Sequence, residues 1–453
     1  MSLDLATLRE KIDTIAIVML ENRSFDHLLG YLSHEDFGKR PEVDGLHQNS
    51  SNFEWGNPDL SGHEYPPTPM LDGWLPNDPP HGRKSIRTEI GANRSMLGFV
   101  QAYQQRFPRD QSRLPPPMGF LRPRDVPVTA ALAEHYCVCD RWFSSLPADT
   151  QANRNMAVSG YTLVDTTNVI PVLKWLPNQT TILDWLAQKQ LPFDIYVDAP
   201  FIAGAGRPSN FLLMPSQWQH LQANTYALDE LRERWGERTG KAPAVIYCEP
   251  YYDTAAKPLG GHGNCNHPPL PVTFGEEFLS RVYRALTSNE DRWGRTILIV
   301  CYDEHGGFFD HVKPPRYDYP PPPHAVWKDR EPFHTLGVRV PALVISPYAA
   351  QRSVCHETLD HTSLLQLVVE RFGAASDLTF FGDAARRKQE GNVRSVLTAL
   401  SNDKRADIIP LPTPVLRRNT RAPARAHVAQ TPEEHLFADS IEAKVTAKNG
   451  QPE

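Results

Sequence analysis

Thr296-Ile-Leu-Ile-Val-Cys-Tyr-Asp-Glu-His-Gly-Gly-Phe-Phe-Asp-His311 is the stretch that decides how this chain folds. Its first half, Thr296 to Tyr302, is a short apolar run rich in β-branched residues. Strands buried on both faces read this way. The second half turns abruptly to Asp303, Glu304 and His305, then to Gly306 and Gly307. Adjacent carboxylates at the end of a buried strand are costly unless something positive meets them. In open α/β sheets, ligands sit at the carboxyl ends of strands. Asp303 and Glu304 therefore read as metal ligands of an active site, with Gly306-Gly307 allowing a tight backbone turn. The competing reading is a solvated turn after a strand.

Working outward, the same pattern recurs. Ile12 to Leu20 reads as a buried strand that runs into Glu21-Asn22-Arg23-Ser24. Ala244 to Cys248 is another, ending at Glu249. Further strands are expected at Val138 to Phe143, Phe193 to Val197 and Val340 to Ile345. Helices are expected at Pro127 to His135, Thr180 to Gln190, Leu228 to Arg238, Phe274 to Leu286 and Asp360 to Phe372. Gly373 provides the last one with a stop. Strand and helix alternate along most of the chain, which points to an α/β fold: a largely parallel central sheet with helices on both faces.

Such a sheet gathers Glu21, Asn22, Asp303 and Glu304 at one edge. Loops bring two more groups within reach. Thr150 sits where the turn Pro147-Ala-Asp enters a helix, and helix N-termini favour phosphate. A hydroxyl there caps the helix, attacks a substrate or does neither, and from these residues alone capping is the favoured reading. His262 and His267 lie in a Gly/Pro-rich loop, where function concentrates. His81, in Asp78-Pro-Pro-His81, reads on its own as an ordinary surface residue.

The chain has 453 residues, enough for one large α/β domain or two ordinary ones. The Pro-rich segments 38–95 and 313–339 read as a covering loop and a rim or lid inside a catalytic domain spanning 1–404. Residues 405–453 are expected to drape over the surface or stay partly disordered. The net charge of −6 argues against a nucleic-acid partner. Six scattered cysteines read as reduced structural thiols, with one disulfide left open. No stretch reaches the length of a membrane span. Ile15 to Leu20 is too short for a signal peptide and leads into polar residues. The expected location is cytoplasmic, or outside the cell by a route that leaves no N-terminal signal.

An oxygen-rich pocket with a hydroxyl and an imidazole has what phosphoryl transfer to a side chain needs. A cation neutralises the phosphate, the hydroxyl attacks in line, and a histidine protonates the departing oxygen. Four segments carry a family resemblance: Met19-Leu-Glu-Asn-Arg-Ser-Phe-Asp-His27, Pro147-Ala-Asp-Thr-Gln-Ala-Asn-Arg154, Asn264-Cys-Asn-His-Pro268 and Tyr302 to His311. In these the chain resembles bacterial phosphoesterases that include non-haemolytic-type phospholipases C and respiratory-burst-inhibiting acid phosphatases, of the alkaline phosphatase-like superfamily.

The resemblance implies an alkaline phosphatase-like fold and one divalent metal ion held by Glu21, Asn22, Asp303 and Glu304, with the Thr150 hydroxyl completing its sphere. It implies Thr150 as a nucleophile carrying a phosphoryl intermediate, His267 as general acid and His81 as phosphate-binding partner. Glu249, His305 and His361 are implied neighbours. Oxygen ligands suit Ca²⁺, Mg²⁺ or Mn²⁺, and Zn²⁺ and Fe also use carboxylates. The acid phosphatases carry Ser where this chain has Thr150, so the resemblance leans toward phospholipase C. The chain is too short for the C-terminal β domains of many such phospholipases, and has Ala148-Asp149 where the family often has Gly-Pro. The expected substrate is a phospholipid head group, with transient membrane-surface contact. A soluble phosphomonoester is the alternative, and a non-catalytic metal- or phosphate-binding module is the alternative of another class. A sulfatase is disfavoured, because Thr cannot become formylglycine.

Overall fold

Thr296–Tyr302 is a strand in which all seven residues are buried, as its apolar sequence requires. The computed structural model describes residues 3–47, 55–70, 75, 77–110, 115–166, 176–200, 209–237, 241–252, 263–405 and 407–415. Its eight-stranded sheet comprises β1 Thr14–Leu20, β2 Cys137–Cys139, β3 Phe193–Val197, β4 Thr225–Ala227, β5 Val245–Glu249, β6 Thr296–Tyr302, β7 Ala342–Ile345 and β8 Val354–Cys355. The spatial order is β8-β2-β7-β6-β1-β5-β3-β4. β6, β1, β5, β3 and β4 run parallel to one another, and β8 is parallel to β2. Only β7 is reversed, pairing antiparallel with β6 and β2. The chain from β6 to β7 doubles back through 303–341 with no crossover helix, so an antiparallel neighbour is what that connection allows.

The helices used below are α1 Leu5–Lys11, α2 Phe25–Leu29, α3 Arg83–Ile90, α4 Phe99–Arg106, α5 Pro127–His135, α6 Thr150–Ser159, α7 Ile182–Gln188, α8 Trp218–Asn224, α9 Leu231–Glu237, α10 Thr273–Leu286 and α11 Thr362–Phe372. α10 packs on α5 and α9, while α11 packs on α6 and α1. These two groups cover the faces of a sheet whose central strand is wholly buried. Phe278, Val282 and Leu286 form the buried stripe expected of α10. Glu276 of the same helix accepts the N–H groups of Val128 and Thr129, capping α5 where Pro127 opens it. α7 starts with a reciprocal cap: Thr181 Oγ1 accepts the Leu183 N–H, and Asp184 accepts the Thr181 N–H at 2.8 Å.

Several details differ from the sequence reading. The strand expected over 138–143 ends at Cys139, and Trp142 and Phe143 make isolated bridges to Leu359 and Arg339. Glu249 is the last residue of β5 rather than its flank. The covering segment 38–95 contains α3, whose only apolar residues are Ile86 and Ile90; it also buries Arg83 and Glu89. Segment 313–339 carries a two-stranded hairpin, Arg316–Tyr319 with Phe333–Thr335. The hairpin's Tyr317, Tyr319 and Phe333 join Phe143, Leu146, Ala152 and Met156 in a second apolar cluster. That cluster clamps the turn leading into α6. All six cysteines are buried thiols. Ile409 and Leu411 pack on the main core, and residues 416–453 of the expected tail lie outside the described residues. Among the described residues no helix is long and apolar enough to cross a membrane.

Candidate active site

The parallel register sets Leu20 of β1 opposite Tyr302 of β6. Glu21 and Asp303 therefore leave neighbouring strands side by side, and Glu249 closes β5 next door. The two motif segments then fold against each other. Asn22 adopts the left-handed φ of 60°, and its N–H donates to Asp303 Oδ1 at 3.1 Å. The Arg23 N–H donates to the Glu304 carbonyl. A Cβ on Gly306, itself at φ +63°, would lie 2.2 Å from the Asn22 carbonyl oxygen. The glycine is thus required by close approach as well as by the turn.

Thr150 is the first residue of α6, with Asp149 in the capping position. Asp149 instead accepts the Thr166 hydroxyl at 2.7 Å. Among the described residues the half-buried Thr150 hydroxyl makes no hydrogen bond, so the capping reading of Thr150 is not realised. The turn before it is held by Asn153, which accepts the Leu146 N–H at 2.9 Å and donates to the Ala148 carbonyl at 2.7 Å.

Arg154 lies four residues beyond Thr150, on the same face of α6. Its buried guanidinium donates to Asp303 Oδ2 at 3.2 Å, to Glu21 Oε1 at 3.3 Å and to the Tyr252 hydroxyl at 2.9 Å. Tyr252 in turn donates to Glu249 Oε2 at 2.6 Å. One arginine thus links the acids at the ends of three strands. Burial pushes Glu21 up to about 8, against the opposing pull of Arg154. Asp303 is pushed up to about 6 by burial, with Arg154 opposing and Glu304 adding. Burial alone would lower Arg154, but Tyr252, Asp303 and Glu21 outweigh it and raise its pKa.

Among the described residues, two buried oxygens at the ends of β1 and β6 have no partner: Asn22 Oδ1 and Glu304 Oε1. The other Glu304 oxygen accepts the Gly306 N–H at 2.7 Å. A buried acceptor left unsatisfied costs about 1–3 kcal/mol, so these atoms fit a cation. Glu21 and Asp303 stand beside them with oxygens shared with Arg154. The donors are carboxylate and amide oxygens, which suits a hard divalent ion.

Two imidazoles flank this group. His81 Nε2 lies 3.1 Å from Asn22 Nδ2 and 4.0 Å from Glu304 Oε1, while its Nδ1–H donates to the Pro79 carbonyl. The His267 ring centroid is 6.0 Å from that of His81, and its Nδ1–H donates to the Pro268 carbonyl. Asp78, His81 and His267 offer ligand atoms within 4.8 Å of one another, a further cluster able to hold an ion.

The three implied neighbours are also in contact. Glu249 connects through Tyr252. His305 lies 3.4 Å from Glu304 and 2.8 Å from Glu89; burial opposes its charge, but these acids raise it to about 9. His361 donates from Nε2 to the Asp303 carbonyl at 2.7 Å and is pushed down to about 4 by burial. His262 lies outside the described residues. Sequence reasoning gave no role to Arg154, Tyr252, Asp78 or Glu89. The one available signal was the i, i+4 spacing of Thr150 and Arg154.

The phosphoester-cleaving class suggested by this cluster agrees with the chain's relatives. The chain belongs to the Phosphoesterase family, whose model matches residues 12–375. It is a phosphoric ester hydrolase. Non-specific phospholipase C1 of Arabidopsis thaliana is 32% identical over 82% of this chain and 69% of its own length. Phospholipase C B of Mycobacterium tuberculosis is 32% identical over 82% of this chain and 76% of its own. A solved protein of the alkaline phosphatase superfamily from Vibrio parahaemolyticus is 12% identical with a TM-score of 0.32, over 56% of this chain and 64% of that one.

Proposed function

We propose that this enzyme is a metal-dependent phospholipase C that removes the phosphorylated head group of a phospholipid through a phosphothreonine intermediate at Thr150. The observation that carries the reading is the pair of buried, unpartnered oxygens, Asn22 Oδ1 and Glu304 Oε1, at the ends of β1 and β6. Asn22, Glu304, Glu21 and Asp303, with the Thr150 hydroxyl, would hold one divalent ion, which would neutralise the phosphate and acidify the hydroxyl. Thr150 Oγ, its proton already lost to solvent, attacks phosphorus in line, and the bond from phosphorus to the diacylglycerol oxygen breaks. His267 keeps its Nδ1–H on the Pro268 carbonyl, and in its imidazolium form gives the Nε2 proton to that oxygen. Water then attacks the phosphothreonine, His267 takes the water proton, and the bond from phosphorus to Thr150 Oγ breaks, which returns Thr150 in the ionised form that began the cycle and frees the phosphorylated head group. His81 steadies the phosphate beside Asn22. Arg154 holds Glu21 and Asp303 in place.

The phospholipid substrate is supported by relatives named phospholipase C in a plant and in a mycobacterium. We assign residues 1–404 to the catalytic unit and expect transient contact with a bilayer surface. The test compares diacylglycerol release from phosphatidylcholine with phosphate release from a small aryl phosphate, before and after chelation. Diacylglycerol release should dominate, stop on chelation and return with added divalent ion. A preference for the aryl ester would make the enzyme an acid phosphatase. Tight ion binding with no product would leave a binding module.

A further inference from the structure

A second pocket of about 490 Å³ lies between the end of α3 and the hairpin of segment 313–339. Four arginines line it: Arg83, Arg87, Arg94 and Arg316. None of the candidate active-site residues does, yet the pocket sits close to them along the chain. Arg83 follows His81 by two residues, and Pro147, which also lines it, precedes Thr150 by three.

The four arginines divide into two pairs. Arg83 is committed: it bridges to Asp165 at 3.0 Å and lies over the Phe333 ring at 4.0 Å. Arg87 is answered by Asp329 at 3.3 Å and Glu331 at 3.7 Å. Arg94 and Arg316 are different, because among the described residues no carboxylate lies within ion-pair distance of either. Arg94 spends Nη1 on the Pro314 carbonyl, and its buried Nε has no partner. Asn93 and Arg94 both take left-handed φ angles, 55° and 57°, which non-glycine residues rarely adopt. Arg316 is exposed. In a chain of net charge −6, two guanidinium groups without an acidic partner leave this pocket locally positive.

We infer that this pocket binds a phosphate group other than the one being cleaved, carried by a neighbouring anionic lipid or free in solution. Guanidinium forks match phosphate oxygens in pairs, and the volume is that of an ordinary ligand pocket. The inference rests on the proposed phospholipase reading for its lipid source, but its test needs no turnover.

The full chain is sedimented with vesicles of phosphatidylcholine, alone or doped with phosphatidylglycerol. Doping should tighten binding, and Arg316→Gln should weaken it about fivefold, with a further drop of similar size for Arg94→Gln added. Arg232→Gln, an exposed arginine outside the pocket, controls for net charge. Inorganic phosphate is added as a competitor. If it displaces wild type but not the double variant, the pocket also takes free phosphate. If it does not compete while the two arginines still matter, the pocket takes lipid-borne phosphate alone. Wild-type binding by the double variant, or an equal loss in Arg232→Gln, overturns the inference. Hydrolysis of phosphatidylcholine in neutral detergent micelles should be unchanged in the pocket variants. Absent hydrolysis in wild type there would count against the phospholipase reading and leave the vesicle result intact.

Discussion

Asp26 and Asp310 meet Arg339 much as Glu21 and Asp303 meet Arg154. Both clusters are buried, and both are built from the same two segments, one following β1 and one following β6. They differ in how completely they are satisfied. Arg339 donates to Asp26 at 3.0 Å and to both oxygens of Asp310 at 3.1 and 3.2 Å. His311 adds two more bonds to Asp26, from its backbone N–H and from Nδ1, and faces Asp44 across 3.2 Å. Burial opposes charge on His311, yet Asp26 and Asp44 raise it to about 9. No oxygen of Asp26 or Asp310 is left without a partner. In the other cluster, four buried carboxylates (Glu21, Glu89, Asp303 and Glu304) face two cations, Arg154 and His305. Among the described residues, Asn22 Oδ1, Glu304 Oε1 and Glu89 Oε1 remain unpaired. Three ligand atoms within 4.8 Å of one another, which Asp26, Asp310 and His311 provide, do not by themselves make a metal site. The shortage of positive charge is what separates the proposed active-site cluster from the one around Arg339.

Substitutions should pull the two clusters apart. Glu304→Gln removes a charge from the cluster in which acids outnumber cations, and with it a donor of the proposed ion site. Turnover should fall about 1,000-fold or more, while the metal-free melting temperature drops by less than for Asp310→Asn. A matched loss of stability would erase the distinction. Asp310→Asn should do the reverse, costing about 3–5 kcal/mol by stripping a partner from buried Arg339. Its turnover per folded molecule should stay near wild type, as measured by denaturant titration alongside an assay.

The smallest of these effects concerns pH. The folded pKa of His311 is about 9, above its unfolded value, so its stabilisation is full below about pH 6.5 and is lost as pH rises through 9. The loss is at most about 3 kcal/mol. His311→Gln should flatten that part of the stability profile. An unchanged slope would mean that the second cluster is not held by a charged imidazole.

Much of this was legible in the sequence. The run 296–302 and its turn into Asp303-Glu304 gave the central strand and its carboxyl end, because burial on both faces writes a continuous apolar run. Gly306-Gly307 marked the turn, although the close approach to Asn22 could not be read locally. Other features left weaker traces. Apolar patterning reports burial and not direction, so the reversal of β7 was hidden. α3 buries Arg83 and Glu89 and carries two isoleucines, too few to register as a helix. Arg154 finds Asp303 across 149 residues, and no local pattern reports a partner that far away.

The most direct measurement is phospholipid turnover by Thr150→Val, a near-isosteric change that removes only the hydroxyl. A nucleophilic threonine requires a loss of about 10,000-fold or more, with the melting temperature unchanged. Turnover within tenfold of wild type would contradict it.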